Sequence, residues 1–278
     1  MPYFRNQNDY EIYFEIFNED SNLPVLILIH EYGSSQTIFS KQKRFLAQYF
    51  KLILFDVIGH GNSDKNPYEL QENMINSTLN DLSNLLTYLS IEGSISILGY
   101  GLFGTATAQQ FTIINRNCVN FLILLNGGNL FIDSTIKNIF WNLLPKYSRV
   151  NFNEIINQSF DEIVDQISPL IEKIIQPDEV ILSKRDRDLI KNRIKDEIWD
   201  LNEFQIESSK ISCPTLIICA ELDEEAPIYF SKQLRKNIRD SEYHMVSMTG
   251  HLGISQRHEE YNNIIYTFLQ NNNFISTG

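Results

Sequence analysis

Cysteine is scarce in this chain: Cys118, Cys213 and Cys219 are the three present among 278 residues. They form no Cys-x-x-Cys pair, and their odd number leaves one unpaired under any scheme. A disulfide framework is therefore excluded, and a reduced, cytoplasmic protein is expected. Basic residues are also in deficit, with 23 Lys and Arg against 35 Asp and Glu, a net charge of −12 and a pI near 4.9. Nucleic acid and anionic membrane are poor partners for such a surface, since both require clustered cations. Long apolar runs are missing. Val25 to Ile29 and Phe121 to Leu125 fall far short of the roughly 20 residues that a membrane-spanning helix needs. Arg5, Asp9, Glu11 and Glu15 precede any apolar run, so no signal peptide is expected. Glycine and proline, 12 and 8 residues, cluster into no linker, and no internal repeat is seen. No cofactor and no metal are expected, and the sequence is silent on oligomeric state.

What is present suits a soluble globular chain, with 43% hydrophobic and 21% charged residues. This length can bury one full core with an insertion. Tyr10 to Phe17 alternates, with Ile12, Phe14 and Ile16 on one face, as a half-buried antiparallel edge strand would. Val25 to Ile29, Leu52 to Phe55 and Phe121 to Leu125 are continuously apolar, as strands covered on both faces are. Thr37 to Phe50 and Leu70 to Leu89 read as amphipathic helices between them. Such alternation predicts an α/β fold with a mostly parallel sheet, right-handed crossovers and ligands at the carboxyl ends of the strands. From about residue 129 to 209 the pattern becomes helical, with Phe140, Trp141, Trp199 and other aromatics and no clear strand. This predicts a helical cap over 129–209, inserted between core segments 1–128 and 210–278. Alternation resumes with Pro214 to Cys219, a helix from Ile228 to Asn237, a strand near Glu242 to Val246 and a helix from Glu259 to Leu269.

Ile95 to Phe111 is written as a buried strand, a glycine turn and a helix of small residues. A nucleophile elbow, Gly-x-Ser-x-Gly, is a sharp corner of this kind, and it presents a serine. Aligned on Gly99, the chain reads Gly99-Tyr100-Gly101-Leu102-Phe103, so the corner residue is Gly101 and no serine is there. Further landmarks are His30 with its loop, Asp56 to Ser63 with Gly59-His60-Gly61, Ala220-Glu221-Leu222-Asp223 with Pro227, and Gly250-His251. On these five landmarks in order, the chain resembles the capped α/β-hydrolases related to epoxide hydrolases, C–C bond hydrolases and small carboxylesterases, over nearly its whole length. The resemblance implies an eight-stranded, mostly parallel sheet and a small, largely apolar ester, amide or C–C substrate.

The resemblance also implies roles for the site residues. Gly101 holds the position of the nucleophile, His251 that of the general base and Asp223 that of the acid which orients it. Asp223 has a second reading as a cap for the helix after it. Backbone N–H groups of Tyr32 and Leu102 would form the oxyanion hole. His30 and His60 read as braces for their loops. Two more residues depart from the pattern: Glu31 replaces a glycine and brings negative charge toward the hole, and Phe103 replaces a small residue and crowds the helix or narrows the pocket. One engineered replacement would explain Gly101 alone; three departures favour natural divergence. Gly101 deletes the nucleophile and relieves backbone strain. The chain is then an inactive or weakly active serine-type hydrolase, a non-catalytic binding protein, or an enzyme using His251 and Asp223 as a base without covalent catalysis.

Overall fold

The computed structural model describes residues 2–64, 74–128, 206–223, 225–226 and 228–275. The chain divides into two units, Met1–Asn129 with Ile206–Gly278, and Leu130–Gln205. The cap expected over 129–209, with its aromatic residues, lies almost wholly outside the described residues.

Eight strands form one sheet: β1 (Tyr3–Arg5), β2 (Glu11–Phe17), β3 (Val25–Ile29), β4 (Lys51–Phe55), β5 (Ile95–Tyr100), β6 (Val119–Leu125), β7 (Thr215–Ala220) and β8 (Ser241–Val246). Their spatial order is β1-β2-β4-β3-β5-β6-β7-β8. β1 and β2 pair antiparallel with their neighbours, and every pairing from β4 to β8 is parallel. Polarity explains the division. β2 buries Ile12 and Phe14 and leaves Glu11, Tyr13 and Glu15 half-buried, whereas β3, β5 and β7 are buried along nearly all their length. A strand with two apolar faces needs helices on both sides, which is the arrangement of parallel sheets.

The helices are α1 (Ser40–Leu46), α2 (Met74–Tyr88), α3 (Gly101–Ile114), α4 (Ile228–Asn237), α5 (Gly253–Gln256) and α6 (His258–Asn271). The helix expected over Thr37 to Phe50 is broken in two, a 3-10 turn over Gln36–Phe39 followed by α1. The start expected for α2, at Leu70, lies outside the described residues. The strand β1 has no counterpart in the sequence reading, because three residues with one buried side chain carry too little alternation to register. One layer of the core joins Leu26, Leu28, Leu52 and Leu54 to Phe121, Tyr261 and Phe268. Among the described residues, no helix is long and apolar enough to cross a membrane. All three cysteines are free thiols, two of them buried.

Candidate active site

The carboxyl ends of β3, β5, β6, β7 and β8 bring the candidate residues together. β5 passes directly into α3 at Gly101, whose φ of +72° is left-handed. Only glycine takes that conformation without strain. The close approach of strand and helix is made by other glycines. A Cβ on Gly99 would lie 2.7 Å from the Gly104 carbonyl carbon, and one on Gly104 would lie 2.5 Å from the Ile29 carbonyl oxygen. Phe103 therefore does not crowd the helix, because the small residue that the corner requires is Gly104, one place later. Phe103 is buried and meets Tyr32 edge-to-face, with ring centroids 6.2 Å apart.

The space above Gly101 is filled by Glu31. A Cβ added at Gly101 would overlap Glu31 Oε2, and would lie 2.5 Å from its Cδ and 2.7 Å from its Cβ. Glu31 is only 6% exposed. Its Oε1 accepts the Tyr32 N–H at 2.8 Å, and the Phe103 N–H lies 3.3 Å from Oε1 and 3.2 Å from Oε2. Position 31 thus does more than bring negative charge near the corner: its carboxylate takes the Tyr32 and Phe103 N–H groups. The converging donors are Tyr32 and Phe103, where the resemblance implied Tyr32 and Leu102. Phe103 belongs to the first turn of α3, so its N–H is one of the unpaired donors at the positive end of a helix, where an anion is favoured.

His251 stands in the turn between β8 and α5. Its Nδ1 lies 2.9 and 3.0 Å from the two Asp223 carboxylate oxygens. The Asp223 side chain is fully buried and that of His251 is 9% exposed. Asp223 Oδ1 also accepts the N–H groups of Glu225 and Ala226 at 2.9 and 2.8 Å, ahead of α4. Among the described residues the buried His251 Nε2 has no hydrogen-bond partner; it lies 3.6 Å from Glu225 Oε2. Burial pulls the His251 pKa down, but the hydrogen bond and charge of Asp223, with the charges of Glu225 and Glu31, outweigh it and leave the pKa raised.

Residues that the sequence reading passed over fix the His251 backbone. Tyr100 Oη and Asn126 Nδ2 both donate to the His251 carbonyl, at 3.0 and 2.6 Å, and Tyr261 Oη donates to Asn126 Oδ1 at 2.6 Å. Asn126 is fully buried at φ +46°, a conformation that asparagine tolerates better than most residues. A lone Asn at a strand end gives no sequence signal; only the sheet places it beneath His251. His30 and His60 are braces. Val57 N–H donates to His30 Nε2 at 2.9 Å, so Nδ1 carries the proton and donates to the Glu31 carbonyl at 2.8 Å. Gly33 N–H donates to His60 Nε2 at 2.8 Å. Burial pulls His30 down to about 4 and keeps it neutral.

An eight-stranded sheet with this order, a left-handed corner after β5, and an acid and a histidine after β7 and β8 define one architecture. The chain has the α/β-hydrolase fold. The enol-lactonase from Burkholderia xenovorans superposes with a TM-score of 0.65, covering 97% of this chain and 100% of that one at 17% identity. A 2-hydroxy-6-oxononadienedioate/2-hydroxy-6-oxononatrienedioate hydrolase of Klebsiella pneumoniae is 24% identical over 254 residues, 88% of this chain and 86% of that protein. An uncharacterized protein of Mycobacterium tuberculosis is 32% identical over 133 residues, 48% of this chain; the match spans 37% of that relative's length. No protein-family model matches the chain. Among the described residues of this α/β-hydrolase fold, no group of three or more His, Cys, Asp or Glu is arranged to hold a metal ion.

Proposed function

We propose that this protein transforms a small-molecule substrate by acid–base chemistry at His251, held by Asp223, with no covalent serine step. The reading is carried by the contrast between the two halves of the site. The Asp223 side chain is buried and holds His251 through Nδ1, while Nε2 makes no hydrogen bond among the described residues. The corner that would present the nucleophile is a glycine, and its side-chain space belongs to Glu31. As a serine-type hydrolase for an apolar ester, amide or C–C substrate the chain is inactive or weakly active; a water or a substrate proton remains within the competence of a histidine base. The fold's carboxyl-end site and the lactonase and hydrolase names of the similar proteins support hydrolysis as the reaction class.

The test is a screen of small esters, lactones and other uncharged hydrolysable substrates with the intact protein. A serine-directed fluorophosphonate should leave it unlabelled. His251→Ala and Asp223→Asn should each lower turnover by at least about a hundredfold. Full turnover in His251→Ala, or phosphonate labelling of a serine, overturns the reading. A second reading, a non-catalytic ligand-binding protein, is favoured by one observation: the Tyr32 and Phe103 N–H groups already hold a carboxylate. Ligands that raise the melting temperature without any turnover would select it.

A further inference from the structure

The two nitrogens of His251 meet two different carboxylates. Nδ1 lies 2.9 and 3.0 Å from the Asp223 oxygens, and Nε2, the nitrogen that has to take a proton, lies 3.6 Å from Glu225 Oε2. The two acids are held unequally. The Asp223 side chain is fully buried and pinned, because its Oδ1 accepts the N–H groups of Glu225 and Ala226. Glu225 is tied to Asp223 through its backbone N–H, and its side chain is 56% exposed. Its carboxylate can turn between His251 and water, whereas that of Asp223 cannot. The other groups around the ring bring no positive charge. Tyr100, from β5, has its ring centroid 5.1 Å from the imidazole and donates to the His251 carbonyl, and Tyr261, from α6, reaches that carbonyl through Asn126. Burial raises both tyrosine pKa values, so both hydroxyls stay protonated. Glu31, from the end of β3, adds a third negative charge.

With the Nδ1 proton given to Asp223, a neutral ring turns the Nε2 lone pair toward Glu225 Oε2, and two electron-rich atoms face each other. A protonated ring turns an N–H there instead, and the same 3.6 Å becomes an ion pair. We propose that Glu225 is a pH-dependent latch on this base: it holds the Nε2–H of the protonated ring and swings into solvent from the neutral one. This rests on the acid–base reading of His251 given above and supplies the regulation of that site. At low pH Nε2 already carries a proton and is faced by Glu225, so it cannot take another from water or substrate. As pH rises the ring loses that proton, the attraction becomes repulsion, and the base is uncovered. A histidine is suited to this work because small changes around it move its titration across the neutral range. Burial alone would lower the His251 pKa, yet Asp223, Glu225 and Glu31 leave it raised. Glu225 acts through His251 and is a positioning residue: it sets the pH at which the base becomes available.

The full chain carries five histidines, and nuclear magnetic resonance follows each imidazole through a pH titration, with His251 assigned by its loss in His251→Gln. His251 should titrate above about 6.5 in the wild type. In Glu225→Gln, which keeps the backbone N–H to Asp223, the midpoint should fall by about half a pH unit, a shift moderated by the exposure of Glu225. Glu19→Gln, which removes an equal charge from an exposed position ahead of β3, should leave the midpoint in place. With para-nitrophenyl acetate as the probe, the acid limb of turnover should move with the titration, so that at about pH 6 Glu225→Gln is about threefold faster than the wild type, with the alkaline plateau unchanged. An unshifted or higher midpoint in Glu225→Gln, an equal shift in Glu19→Gln, or a wild-type midpoint at or below about 6.5 overturns the latch. A lowered midpoint in Glu225→Gln beside turnover that ignores pH supports the contact with Glu225 and overturns the acid–base reading instead.

Discussion

Glu31 and Gly101 share one volume: the carboxylate of the first occupies the space that any side chain on the second would need. The two positions are therefore coupled, and restoring a serine at the corner is not a single change. Gly101→Ser adds left-handed strain of about 1–3 kcal/mol and forces Glu31 off its N–H donors. Urea denaturation should show a large loss for Gly101→Ser and a smaller one for Gly101→Ser combined with Glu31→Gly. A double-mutant cycle measures the coupling, expected at about 0.5–3 kcal/mol. Additive losses would mean that the two residues do not compete.

His251 and His30 should have opposite effects on stability as pH changes. His251 has a raised pKa in the folded state, so its contribution is fully present below the ordinary imidazole value and is lost as pH rises through the raised one. His30 is lowered to about 4, so the unfolded chain takes its proton first, and stability falls as pH drops from about 6.5 toward 4. Melting temperatures of His251→Gln and His30→Gln, taken from pH 4 to 9, should show the wild-type advantage shrinking at alkaline pH for the first. For the second it should shrink at acid pH.

Asn126 fixes the turn that carries His251 through the His251 carbonyl. Asn126→Ala leaves the Tyr261 hydroxyl and the His251 carbonyl each short of a partner, at a cost of about 1–3 kcal/mol. Turnover should fall with it, and the milder Tyr261→Phe should keep most of the activity. Equal activity in Asn126→Ala would show that the turn holds by its other bonds.

Gly104 should tolerate substitution poorly. Its Cβ would press on the Ile29 and His30 carbonyl oxygens, at 2.5 and 2.9 Å, on a segment that positions Glu31. Backbone cannot swing aside as a side chain does, so Gly104→Ala should lose about 1–3 kcal/mol in thermal or urea unfolding. Gly33→Ala meets no atom within 4 Å, and its loss should be confined to the strain of φ +76°.

Apart from β1 and the short α5, the succession of strands and helices and the antiparallel entry at β2 were legible in the sequence by itself, and the places of Asp223 after β7 and His251 after β8 were legible through the resemblance. The elements rest on short-range pattern, since two-sided apolar runs, amphipathic periods and glycine corners report their own neighbourhood. Breaking of the helix after β3 was not legible, because the turn at Gln36–Phe39 is set by Asp56 Oδ1 accepting the Gln36 N–H at 2.8 Å, across 20 residues. Nor was the bracing of His251 by Asn126, 125 residues away. Glu31 shows the division most sharply. Its identity and its departure from the usual glycine are plain in the sequence. That its carboxylate fills the place left by Gly101 and takes the Tyr32 and Phe103 N–H groups was decided only by the packing of β3 beside β5, because contact between positions 70 residues apart exists in space and nowhere in the local pattern.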